Sequence, residues 1–95
     1  MKKYEIMYII KPNLESEEVK LLIEKLSKVL LDLKAEIVEH KEIGLKELAY
    51  EIDHFKRGFY VWQNVVANNE AIAEFNRVIR ITEDVLRFIV VNDDK

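Results

Sequence analysis

The spacing of hydrophobic residues changes from period two to period 3.6 and back along this chain, and the order of those changes leaves few folds open. Over residues 3–10 the chain alternates: Tyr4, Ile6, Tyr8 and Ile10 fall on one side, Lys3, Glu5, Met7 and Ile9 on the other. Period two with β-branched and aromatic residues specifies a strand, which Pro12 and Asn13 end. Over residues 16–34, Val19, Leu22, Ile23, Leu26, Val29, Leu30 and Leu33 recur at helical spacing. Ser16 is the expected N-cap. Glu17 and Glu18 suit the positive end of the helix dipole, Lys34 suits the negative end, and Glu24 with Lys28 makes an i, i+4 pair.

Residues 36–52 read as a long strand whose phase changes. Ile37, Ile43 and Leu45 hold odd positions, whereas Leu48, Tyr50 and Ile52 hold even ones. A regular strand cannot move its apolar side chains across the sheet, so a bulge or bend is expected between Gly44 and Glu47. Asp53 to Gly58 forms a loop. Residues 59–66 are apolar on both faces and predict a central strand. Asn68 or Asn69 caps a second helix whose buried stripe is Ile72, Phe75 and Ile79, helped by Val78. A last strand covers residues 85–91, and the polar tail 92–95 is expected to fray.

The order β-α-β-β-α-β predicts an α+β protein: one domain over residues 1–95, with a four-stranded antiparallel sheet and two helices on one face. This phase turns Tyr4, Ile6, Tyr8, Tyr60, Trp62, Phe88 and Val90 toward the helices. The open face then carries Lys3, Glu5, Gln63 and Arg87 among Met7, Ile9, Phe59, Val61, Ile89 and Val91. Those last six form a patch too apolar for a solvated sheet, and such a patch marks a surface for a partner protein or a second copy.

Composition narrows the chemistry. The chain has no cysteine, which excludes disulfides, thiolate metal sites and cysteine nucleophiles and suits a reducing compartment. Its apolar runs fall far short of the roughly 20 residues that span a bilayer, so a cytoplasmic protein with no membrane partner is expected. His40 and His54 have no partner at catalytic or metal-binding spacing. Gly44 and Gly58 are too few to cradle a phosphate. No enzyme activity, cofactor, metal or small-molecule substrate is expected.

The net charge is −3, whereas a protein that grips nucleic acid unaided over a broad surface is usually basic. An RNA role therefore needs a local basic patch or a basic partner. Lys2, Lys3, Lys46, Lys56, Arg57, Arg80 and Arg87 are the candidates for phosphate contacts. Arg57-Gly58-Phe59 also matches the start of the basic-glycine-aromatic box of RNA-recognition motifs. A free-standing binder of single-stranded RNA is thus an alternative, although Tyr60 and Val61 depart from that box.

Several blocks in order carry a family resemblance: Tyr4-Glu5, Pro12-Asn13-Leu14, Gly44-Leu45-Lys46-Glu47-Leu48-Ala49-Tyr50, Gly58-Phe59-Tyr60-Val61-Trp62, and Arg80 to Arg87 running into a hydrophobic strand. Over essentially its whole length the chain resembles the bacterial small-subunit ribosomal protein six family. The resemblance implies a ferredoxin-like fold and a structural role on the ribosome. It implies a heterodimer with ribosomal protein eighteen on the central domain of the small-subunit RNA, after ribosomal protein fifteen has prepared that RNA. The match departs at Glu47, Glu51 and Leu86, where the family commonly has a basic residue, a proline and a basic residue. Each departure bears on individual RNA contacts.

Overall fold

A computed structural model describes residues 1–93. The elements follow in the order β1 (Lys2–Ile10), α1 (Ser16–Asp32), β2 (Glu36–Ile52), β3 (Phe55–Ala67), α2 (Asn69–Arg80) and β4 (Val85–Asn92). The sheet order is β2-β3-β1-β4, and every neighbouring pair is antiparallel. Each helix thus connects two strands that straddle a third, the split βαβ arrangement of a ferredoxin-like fold. The strands and helices lie where the hydrophobic periods place them, except that β3 begins at Phe55, within the expected loop. Within the expected tail, Asn92 closes β4 and the Asp93 amide donates to Lys3 O at 2.8 Å; residues 94–95 lie outside the described ones.

Helix α1 starts one residue earlier in its capping than the sequence suggests. Glu15, not Ser16, is the N-cap, and its amide donates to Glu18 Oε1 at 3.2 Å. Lys28 pairs with Asp32 one turn on at 3.1 Å rather than with Glu24. Lys34 lies past the helix in the left-handed region, at φ 69°. Its amide donates to Leu31 O and the Ala35 amide to Leu30 O, a Schellman closure that satisfies the last carbonyls. Asn68 caps α2 by accepting from the Ala71 amide at 2.8 Å.

The core lies between the helices and one sheet face. Tyr4, Ile6, Tyr8 and Ile10 of β1 meet Val19, Leu22, Ile23, Leu26 and Leu30 of α1 and Ile72, Phe75 and Ile79 of α2. The phase of β3 is the reverse of the expected one. Val61, Gln63 and Val65 face the helices, because they pair with Tyr8, Ile6 and Tyr4. Tyr60 and Trp62 pair with Ile9 and Met7 and so stand on the open face. The reversal has a packing cause. The two β1 tyrosines already fill the volume opposite Val61 and Val65, so β3 places small residues there and turns Tyr60 and Trp62 outward.

Gln63 shows how a polar residue survives on the buried side. It is 1% exposed, and its Nε2 donates to Ser27 Oγ at 3.1 Å and to His40 Nδ1 at 2.9 Å. With Nδ1 accepting, His40 carries its proton on Nε2, which faces Glu42 Oε2 at 3.2 Å. Both donors of the amide are paired, while its Oε1 has no partner among the described residues.

Strand β2 accommodates its phase change in three places: at Val38, at Ile43, and over residues 48–51. The second break falls immediately before Gly44, whose φ of +99° is the conformation that favours glycine. In place of a longer loop, Asp53 and His54 make a two-residue turn with both φ values positive, so Ile52 pairs directly with Phe55. That geometry matches the twist of a hairpin.

Candidate nucleic-acid and partner interface

The open face is set by the parity of the central strands. Met7 and Ile9 of β1, Tyr60 and Trp62 of β3, and Ile89 and Val91 of β4 share it. Ile89 and Val91 are 57% and 50% exposed, and no element among the described residues covers them. Four of the six residues expected in this patch are therefore present. Phe59 and Val61 are not. Val61 is fully buried, and Phe59 packs on the core from the helix side. Their places are taken by Tyr60 and Trp62, which the strand phase predicts on the helix side. Apolarity on both faces of β3 hid this, and the polar character of Gln63 pointed the wrong way. With Phe59 turned inward, the ring that an RNA-recognition box presents to a base is unavailable here.

The charged residues fall into two groups. Lys46, Lys56 and Arg57 lie toward the tip of the β2–β3 hairpin. Arg80 ends α2, and Arg87 follows shortly in β4. Pairings of Ile10 with Phe59 and with Val85 put the hairpin end, the end of α2 and the start of β4 at the same end of the sheet. Lys2 and Lys3 are at the opposite end, beside Ala67 and Val66. None of these seven is in an ion pair among the described residues. The ion pairs use Lys28 and Arg77 instead. Arg57, Arg80 and Arg87 thus keep their guanidinium donors free of carboxylates, while Arg77 is bound to Glu74 at 2.8 Å. That hydrogen bond holds the Glu74 carboxyl below its ordinary range.

Two aromatic residues of the sheet carry cations over their rings. Lys41 Nζ is 5.4 Å from the Trp62 ring centre, and the Arg87 guanidinium is 5.4 Å from that of Tyr50. Beneath the helices, Tyr8 is fully buried and its hydroxyl has no hydrogen-bond partner. Burial, aided by the charge of Glu42, pushes its phenol above the ordinary value. No cluster of His, Asp and Glu suited to a metal ion occurs among the described residues.

Residues 3–92 match the family model described as ribosomal protein S6. The chain belongs to the ribosomal protein S6 family. It is 57% identical over 95 residues to the small ribosomal subunit protein bS6 of Shouchella clausii, covering 100% of both chains. It is 53% identical over 93 residues to that of Onion yellows phytoplasma, covering 98% of each. The crystal structure of 30S ribosomal protein S6 from Thermotoga maritima superposes with a TM-score of 0.91 at 28% identity, over 96% of this chain and 86% of that one. Membership makes the chain a structural protein of the small ribosomal subunit, at work on the cytoplasmic ribosome of a bacterium, and not an enzyme.

Proposed function

We propose that this chain reaches the central domain of the small-subunit RNA as a heterodimer with ribosomal protein eighteen. The observation that carries this reading is the apolar sheet face of Met7, Ile9, Tyr60, Trp62, Ile89 and Val91, half-buried over the first four and exposed at Ile89 and Val91. A protein partner that removes this surface from water supplies the hydrophobic share of assembly. Aromatic residues at the centre of such a patch are the usual anchors.

Charge argues for the partner's chemistry. Phosphate neutralisation supplies much of RNA affinity, and a chain of net charge −3 has little to offer over a broad surface. A basic partner provides the missing charge. The unpaired cations at the hairpin end, Lys46, Lys56, Arg57, Arg80 and Arg87, add local contacts. Lys2 and Lys3, at the other end, are secondary.

The decisive measurement is the affinity of the purified chain for central-domain RNA, with and without ribosomal protein eighteen. Weak binding alone and tight binding together are expected. Tight binding by the chain alone would overturn the cooperative mechanism.

A further inference from the structure

We propose that Tyr50 is a positioning residue for Arg87, holding its guanidinium so that its N–H edges face an RNA phosphodiester. This inference rests on the RNA-binding reading above and assigns a role to a residue outside the cationic set.

Tyr50 and Arg87 come from opposite edges of the sheet. Strands β2 and β4 are separated by β3 and β1, so a flat sheet would hold them roughly 14 Å apart. They nonetheless meet, with the guanidinium 5.4 Å from the ring centre. Residues 48–51 fall outside the regular β2–β3 register, so Tyr50 is not held at a ladder position.

The chemistry follows from the shape of the two groups. A guanidinium on a ring face is held by its plane, which leaves its five donors at the rim. Among the described residues Arg87 has no carboxylate partner to occupy them. A phosphodiester accepts two such donors side by side. Tyr50 is 61% exposed, so its ring adds little to the core and is free to act as a platform. An unstacked Arg87 would have to be ordered when RNA binds, at a cost in side-chain entropy.

The test uses the heterodimer with ribosomal protein eighteen, at saturating partner, titrated with central-domain RNA. Tyr50→Ala is expected to weaken binding roughly two- to fivefold, the scale of an exposed cation–π contact. Tyr50→Phe, which keeps the ring, should bind as the parent does. In an Arg87→Ala background, Tyr50→Ala should have no further effect. Additive losses, an unaffected Tyr50→Ala, or a Tyr50→Phe as weak as Tyr50→Ala would each overturn the proposal. Arg87→Lys leaves the tyrosine untouched and keeps the charge without the planar fork. Full affinity in that variant also overturns it. If the parent heterodimer itself fails to bind the RNA, the RNA-binding reading falls, and this inference with it.

Discussion

Tyr8 places a phenol in the core with no partner for its hydroxyl among the described residues. Its ionisation is resisted first by burial and then by the charge of Glu42, so its folded pKa lies above the unfolded value near 10. The linkage has a definite sign. A group with a raised folded pKa contributes stability that is complete below the unfolded pKa and is lost as pH climbs toward the folded one. Stability should therefore decline above about pH 10, and Tyr8→Phe should decline less. Urea midpoints of both proteins at about pH 8 and about pH 10.5 measure the difference. At neutral pH Tyr8→Phe should lie between unchanged and about 1 kcal/mol more stable, since the lost hydroxyl made no hydrogen bond. Parallel alkaline declines in the two proteins would exclude Tyr8 as the source. The burial of Tyr8 is legible in the alternation of residues 3–10. Its lack of a partner is not, because that depends on which groups α1 and β2 bring near it.

The β2–β3 hairpin combines local and long-range constraints. Its two-residue turn and the glycine at position 44 are backbone matters. Gly44 adopts φ +99° with nothing near a potential Cβ, so only conformation demands glycine there. Gly58 is the opposite case. Its φ is unremarkable, but an added methyl would collide with Ile9 across the pair. Ile9 is β-branched and stiff at χ1, so it yields poorly. Gly58→Ala should therefore destabilise by about 1–3 kcal/mol, read as a lower urea midpoint with unchanged slope. Truncating the neighbour in Gly58→Ala/Ile9→Ala should recover part of the loss, and a strictly additive double variant would refute the clash. Residue patterns revealed that β2 must break its phase, because no straight strand satisfies both Ile37 and Tyr50. They did not reveal that Tyr50 and Arg87 meet from opposite edges of the sheet, since that contact depends on where β1 and β4 lie.

At the scale of the molecule, the fold gathers cations that are scattered in sequence. Lys46, Lys56, Arg57, Arg80 and Arg87 collect at one end because β1 pairs with both β3 and β4 there. Reversing charge at Arg80 and Arg87 together should weaken RNA binding by the heterodimer and reduce its log–log salt slope by about 1–2. An unchanged slope would reject both contacts. Lys2→Glu and Lys3→Glu, at the far end, should change the slope less than this.

The alternation of β1, the helical stripes of α1 and α2, and the order of elements were determined by the chain alone, since those periods arise from backbone geometry that every residue shares. Which face β3 presents was decided only by tertiary packing. A strand apolar on both sides carries no phase of its own. The volume left by Tyr4 and Tyr8, and the Ser27 and His40 partners awaiting Gln63, settled that Val61 turns in and Trp62 turns out.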